Sequence, residues 1–400
     1  MRKDAGNIQR NIAIVGCGPG GLACALFLVR QGHEVTLFER FSAPKPLGSG
    51  LLIQPTGQQV LDDLNLLDEA EKLGAPVEQL YGISVSKSRR ALDMRYEYTG
   101  DGSPALGIHR ASLFDSLMEV VRLENISVIV DSELVDVVET ASSISPIFAD
   151  KDTARTFDLL IDASGAHSPL AQGKNRKLGF GAFWTTVDWP EYHEIRPKAL
   201  DQRYENAGKM AGIMPVGINP ATGNQGAAIF WSERPENEDA VRAAGIEKFK
   251  DEFYSLWPEA RPFVSQIKTM DALTMAVYDH RTGRTNSSAR VFHVGDSWHC
   301  TSPQLGQGAN MALMDASALA QAIGGAPTIE NIARRYRRLR SFHVVLYQIL
   351  SAIFTPLYQS DSRILPWTRD MLIHHFARLP LVRGLIARTV SGMLGNSRAD

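Results

Sequence analysis

The sequence predicts an α/β chain in which a parallel-sheet domain is interrupted by an inserted antiparallel sheet and followed by C-terminal helices. Three observations predict it. A strand, a glycine-rich turn, a helix and a second strand follow one another at residues 11–38. A second strand, glycine turn and helix recur at residues 290–323, about 280 residues downstream. Between the two lie segments that alternate polar and apolar residues, as half-buried strands do. At 400 residues the chain exceeds what one hydrophobic core usually fills, so two or three packed units are expected.

Asn11 to Val15 reads NIAIV, a short buried strand, and runs into Gly16-Cys17-Gly18-Pro19-Gly20-Gly21. Gly16 permits the tight turn, Gly18 lets a pyrophosphate approach the backbone, and Gly21 lets helix and strand pack closely. Leu22 to Gln31 has helical periodicity and Gly32 closes it. His33 to Phe38 is the second strand, ending in Glu39, eighteen residues after Gly21, beside Arg40. The helix N-terminus offers free N–H groups to phosphates, and a carboxylate after the second strand accepts from ribose hydroxyls. The whole unit predicts a Rossmann-like dinucleotide site but does not separate NAD from FAD.

Val77 to Tyr98, Gly181 to Tyr192 and Lys209 to Trp231 have the texture of sheet, the last as two strands around a turn at Asn219 to Gln225. They gather Trp184, Met214, Pro215 and Phe230, which suit a flat apolar ligand, with Gln54, Thr186, His193 and Tyr278 as candidate polar contacts. Arg290 to Val294 is a further buried strand. It leads to Gly295-Asp296, His299, Pro303 and Gly306-Gln307-Gly308-Ala309-Asn310, and then to a helix at Met311 to Ile323. A strand ending in Gly-Asp puts a carboxylate at the carboxyl edge of a sheet, where open α/β sheets bind ligands.

Composition narrows the function classes. Lys and Arg total 42 against 44 Asp and Glu, a net charge of −2, so no nucleic-acid partner is expected. Cys17, Cys24 and Cys300 are too few and scattered for a disulfide framework or a zinc site, which predicts no metal and a reducing, cytoplasmic setting. The polar start MRKDAGNIQR does not read as a secretory signal. No G-x-S-x-G elbow or H-E-x-x-H site is present. Charge is uneven, however. Residues 331–400 hold eleven Arg, no Lys and three Asp, a net +8, which leaves −10 on the rest. The uncharged run Ser341 to Ser360 reads as part of a packed C-terminal helix pair rather than a membrane span, with peripheral contact to anionic lipid as a further expectation.

Gly16-x-Gly18-x-x-Gly21 with Glu39, and Gly295-Asp296 through His299 and Pro303 to Gly306-Gln307-Gly308-x-Asn310, resemble the single-component FAD-dependent aromatic hydroxylases, the para-hydroxybenzoate hydroxylase type. The spacing of the second motif matches that family without a gap. Gly48-Ser49-Gly50-Leu51 with Pro55 looks like its loop after the second strand, and Arg110 like its arginine near the FAD pyrophosphate. The resemblance implies FAD, NADPH or NADH as co-substrate, and an aromatic small molecule and O2 as partners. Oxygen would be transferred through a flavin C4a-hydroperoxide, in a monomer or homodimer. It assigns Gly16, Gly18, Gly20, Gly21, Glu39, Arg40, Arg110, Asp296, Gly306, Gln307, Gly308, Ala309 and Asn310 to the cofactor. His299 and Pro303 fall near the reacting ring and Pro215 near the family's flavin-facing turn, while Gln54, Trp184, Met214, Pro215 and Phe230 stand as the candidate substrate contacts that the residues themselves suggest. One motif departs from the pattern: where the family has Asp-Gly, this chain has Ser164-Gly165, and Ala171 replaces a terminal Arg. That departure keeps open a flavin-dependent reductase or oxidase, or a non-enzymatic flavoprotein. A flavin halogenase is disfavoured by the absence of W-x-W-x-I-P.

The implied FAD-binding unit is discontinuous, at residues 1–75, 105–180 and 285–330. The substrate unit falls at 76–104 and 181–284, and the helical region at 331–400.

Overall fold

The computed structural model describes residues 8–45, 49–149, 155–173, 176–362, 364–376 and 379–395. Gly48 and the last five residues lie outside them.

The apolar run Asn11–Val15 forms the middle of a five-stranded parallel sheet. Its order is Val291–His293, Leu159–Asp162, Asn11–Val15, Glu34–Phe38, Ser127–Ile129. Every neighbouring pair is parallel, with Ile14 between Ile161 and Leu37. Strands buried on both faces need apolar residues at every position, and Leu159–Asp162 is buried throughout. Helices Pro19–Arg30, Arg110–Leu123 and Gly308–Gly324 contribute Leu22, Leu26, Leu117, Val121, Leu313 and Leu319 to the same core. The first of these helices ends as predicted: Gly32 takes a left-handed φ of 85°, and His33 N–H reaches back to Leu28 O at 3.1 Å.

The inserted unit is a seven-stranded sheet ordered Thr274–Ala276, Gly181–Asp188, Gln225–Glu233, Lys209–Ile218, Ala199–Glu205, Gln79–Ser84, Arg89–Arg95. It is antiparallel except for one pair. Ala199–Glu205 runs parallel to Gln79–Ser84, because these strands come from separate excursions of the chain and no hairpin joins them. Period-two alternation sorts its residues. Phe183, Ala211, Ile213, Ile229 and Trp231 point to one face, where Phe249, Phe253 and Trp257 of and after the Glu238–Leu256 helix cover them. Trp184, Met214, Ala228 and Phe230 share the other face. That face meets a small sheet of Gly50–Ile53, Ala105–His109 and Ala75–Val77. A Cβ on Gly50 would lie 2.7 Å from Ala228 Cβ, and one on Gly107 only 2.0 Å from Pro215 O, so side chains at these two positions would force the layers apart.

The C-terminus forms three helices rather than the expected pair: Ile329–Tyr358, Ile364–Phe376 and Pro380–Val390. Pro356 closes the long one near its end, and Pro380 starts the last.

Candidate cofactor and substrate site

The carboxyl ends of the parallel strands carry both glycine turns. Gly16 has φ 103°, and a Cβ there would lie 2.4 Å from Ala163 O. A Cβ on Gly21 would lie 2.0 Å from Gly16 O. At Gly18, by contrast, nothing lies within 4 Å of that position, and the same holds at Gly308. Two glycines thus close the turn, and two leave backbone open at helix N-termini. The motifs adjoin: a Cβ on Gly20 would lie 3.0 Å from Val294 and 3.2 Å from Ala312 of the second helix. The two glycine turns thus lie side by side at the carboxyl edge of the parallel sheet.

Glu39 is buried at the end of its strand, where its carboxylate accepts from Cys17 N–H at 3.0 Å and Phe41 N–H at 3.2 Å. It therefore braces the first turn as well as presenting a carboxylate beside it. Arg40 is exposed and stacks on Phe41 at 4.7 Å. Arg110 opens its helix, with its N–H on Ser49 O at 2.8 Å and His109 Nδ1 accepting from Ala111 N–H at 3.1 Å. Burial lowers the pKa of the Arg110 guanidinium, opposed by the Asp296 carboxylate and Tyr278. Asp296 is solvent-exposed, while Gly295 and Ser297 on either side are buried. Desolvation pushes its carboxyl upward, against His299, Arg110 and Arg281. Its access to water weakens that push.

Gly306 adopts φ 60° and its N–H closes on Pro303 O at 2.8 Å, so the Pro303–Leu305 turn hands the chain to the Gly308–Gly324 helix. Ala309 is half-buried in the first turn of that helix. Asn310 is fully buried, and both its amide atoms serve protein backbone. Its Oδ1 accepts from Gln54 N–H at 2.7 Å, and its Nδ2 donates to Leu52 O at 3.1 Å and Gly306 O at 2.9 Å. Asn310 thereby holds the Gly306 turn against the Gly50–Ile53 strand.

Several expected contacts fall elsewhere. His299, expected near the reacting ring, is buried, and its Nε2 donates to Asp315 at 2.6 Å. Burial acts to raise the Asp315 pKa, but His299, Arg340 and the Gly295 N–H outweigh it and hold the carboxyl below its ordinary range. A carboxylate so committed explains why the imidazole faces protein, and His299 leaves the list of catalytic candidates. Phe230 is buried under Trp184, centroids 4.9 Å apart, so Trp184 is the ring that can meet a ligand. Register puts Pro215 opposite Ala227, on the helix-covered face, while Met214 opposite Ala228 keeps to the other face. His193 accepts from Trp189 Nε1 at 2.7 Å, within the cluster around Phe263 on that helix-covered face. Thr186 meets Ser49, Oγ to Oγ, at 2.5 Å. Trp184 Nε1 donates to Tyr278 OH at 2.8 Å, and burial pushes the Tyr278 phenol up to about 12. Gln54 is fully buried. Its Oε1 accepts from Tyr96 OH at 2.6 Å, but its Nε2, 3.4 Å from where a Gly306 Cβ would stand, finds no partner in the protein.

Two features escaped the sequence reading. Near the altered Ser164-Gly165 pair a carboxylate is present after all, two residues earlier. Asp162 is buried, 2.8 Å from His293 Nδ1, 2.6 Å from Ser164 Oγ and 2.5 Å from Ser168 Oγ. Burial acts to raise its pKa, but these hydrogen bonds outweigh it and the carboxyl stands below its usual value. The other is a C-terminal strap. Four successive carbonyls, Thr389 to Gly392, accept from Tyr347 OH (2.5 Å), Gln307 Nε2 (2.5 Å), Thr56 Oγ1 (3.1 Å) and His343 Nε2 (3.1 Å). The strap thus fixes the side chain of Gln307, in the second glycine turn. Ala387 and Val390 pack in one cluster with Leu52, Tyr96 and Met214, against which Trp184 also lies.

The residues fit a flavin dinucleotide. Open backbone at Gly18 and Gly308 suits phosphate and ring edge, Asp296 lies near enough for its charge to act on Arg110, and Gln54 Nε2 is an unused donor beside the second turn. Fold and site together define a flavoprotein of the Rossmann type.

The sequence matches the FAD binding domain family over residues 9–328, and the chain belongs to that family, with FAD as its cofactor. Among characterised relatives, it is 27% identical to the FAD-dependent monooxygenase janM of Penicillium janthinellum, over 97% of this chain and 82% of that one. It is 25% identical to the 3-hydroxybenzoate 6-hydroxylase of Klebsiella oxytoca, over 78% and 79%. Among solved structures, Klebsiella pneumoniae HpxO complexed with FAD and uric acid superposes with a TM-score of 0.81 at 20% identity, covering 96% of this chain and 98% of that one.

Proposed function

We propose that this protein is an FAD-dependent monooxygenase that hydroxylates an aromatic or heteroaromatic small molecule, using O2 and a reduced nicotinamide. The observation that carries the reading is the adjacency of two glycine turns, the second tied through Asn310 to the Gly50–Ile53 strand that packs on the sheet face bearing Met214 and Ala228. Relatives named as hydroxylases of urate and of 3-hydroxybenzoate support the substrate class.

Bound FAD supplies the redox chemistry: it accepts hydride equivalents and activates oxygen. The chain's residues position and enclose. The backbone N–H groups at Gly18 and the first helix turn would hold the diphosphate, with Arg110 adding charge. Asp296 would accept from hydroxyls of the cofactor's sugar chain. With the Gly306 N–H committed to Pro303 O, the N–H groups of Gln307 and Gly308 would serve the ring edge, where negative charge develops on reduction. Gln54 Nε2 has both its N–H donors free for the ring or the substrate. Trp184, held by Tyr278, offers a flat apolar surface. His299 is committed to Asp315 rather than turned to a ligand.

Three free, buried thiols support a cytoplasmic setting. We read the assembly as a monomer or homodimer, which sedimentation velocity separates. The test of function is NAD(P)H consumption against a panel of aromatic acids, phenols and purine-like heterocycles under 18O2. One labelled oxygen in the product is expected. Flavin reduction indifferent to every aromatic, with no label incorporated, refutes the reading in favour of a reductase or oxidase.

A further inference from the structure

We propose that the outer face of the C-terminal helices docks the protein peripherally on an anionic lipid surface. These helices lie beyond the family match, which ends at residue 328.

The Ile329–Tyr358 helix has two unlike faces. Its inner face is tied into the protein through polar bonds. Tyr336 OH donates to His293 O at 2.9 Å, Arg340 Nε to Asp315 at 2.7 Å, and Gln348 Nε2 to Cys300 O at 3.0 Å. Thirty residues are long enough to cross a bilayer. Crossing, however, would break every one of these bonds and leave buried polar groups in hydrocarbon. The helix therefore belongs to the folded body, and only its outer face is free.

On that outer face Arg335, Arg338, Phe342, Val345 and Ile349 recur at alternating steps of four and three, a single stripe that begins basic and turns apolar, with Ile353 continuing it. Phe342 is 69% exposed, Val345 49%, Ile349 52% and Ile353 58%. The next helix exposes Ile364 (71%) and Trp367 (52%), and the last exposes Leu381 (89%) and Leu385 (55%). Isolated exposed apolar residues need no explanation, but repeated ones along a helical stripe do.

Charge selects the occupant. Arg335, Arg337, Arg338 and Arg388 are exposed and form no ion pair among the described residues. Among the described residues the region's Asp carboxylates are paired: Asp361 with Arg234, and buried Asp370 with Arg369 and Lys87. A second copy of this face would bring arginines to apolar rings with no unpaired acid to meet them among the described residues. Anionic headgroups answer the arginines while acyl chains take the apolar side chains, the pattern of an interfacial helix. Trp367 is of the residue type that favours that boundary.

The test uses the full-length, FAD-loaded protein and sedimentation with vesicles of phosphatidylcholine alone or with 30% phosphatidylglycerol. Binding to the anionic vesicles is expected to be at least roughly tenfold stronger and to weaken with salt. F342S/I353S and L381S should lose it, and R338E/R388E should abolish the anionic preference. All should keep wild-type flavin absorbance and melting, since the altered side chains are exposed. Equal binding to neutral vesicles, or no binding to either, overturns the proposal. So does a wild-type dimer that F342S/I353S converts to a monomer without any vesicle binding, which would make this face an interface between copies.

Discussion

Lowering the pH should loosen the strap through one residue. His343 Nδ1 accepts from Arg340 at 3.1 Å, and an arginine can only donate, so the imidazole is neutral and its Nε2–H donates to Gly392 O at 3.1 Å. Burial, followed by the adjacent Arg340, lowers its pKa from 6.5 to about 3. Between those values the unfolded chain takes up a proton that the folded chain refuses. Stability is therefore intact above the unfolded value and falls as the pH drops below it, by about 1.4 kcal/mol per unit. From pH 7 to pH 5 the loss assignable to His343 is about 2 kcal/mol. Asp162 and Asp315, held below the carboxylate range, add their own loss only at still lower pH. The assay is urea unfolding followed by tryptophan fluorescence, at both pH values, for wild type and His343→Gln. Glutamine can keep a polar contact but takes up no proton. Wild type should lose about 2 kcal/mol more than the variant over this interval. Equal losses refute the argument that a neutral imidazole holds the strap.

Other substitutions separate folding from cofactor binding. Gly21→Ala puts a Cβ 2.0 Å from Gly16 O and should destabilise the protein by about 3 kcal/mol in the same unfolding assay. Gly18→Ala meets nothing within 4 Å, so melting should stay near wild type while FAD affinity, read by flavin fluorescence, falls about tenfold or more. Asp296→Ala should weaken FAD retention by roughly 1.5–3 kcal/mol, and unchanged occupancy after dialysis would count against its role. Trp184→Phe removes the donor to Tyr278 and should raise the substrate KM while leaving FAD affinity alone. A matching loss of FAD would place the indole on the cofactor instead.

The glycine turns were legible because each imposes a backbone condition that side chains would break: Gly16 by its φ, Gly21 by its contact with Gly16 O. The parallel strands were legible because burial on both faces demands unbroken apolar runs such as NIAIV. Side-chain roles were less so. A histidine within a ligand motif reads the same whether it faces substrate or Asp315, and only the fold brings Asp315 to it. Phe230 and Trp184 both suit an aromatic pocket, and only register shows one lying under the other. Asp162 was hidden because a carboxylate was sought at 164, and the strap because it acts through backbone carbonyls, which any sequence supplies.

The strap also orders events in time. The first turn is complete by residue 39, yet the amide of Gln307 is not pinned until Val390 has been made and folded back, some 350 residues later. A chain still emerging from the ribosome holds half a seat, so coenzyme loading belongs to the finished polypeptide. Lesions that clip its last turn would then be seen first as pale, under-loaded enzyme rather than as unfolded protein.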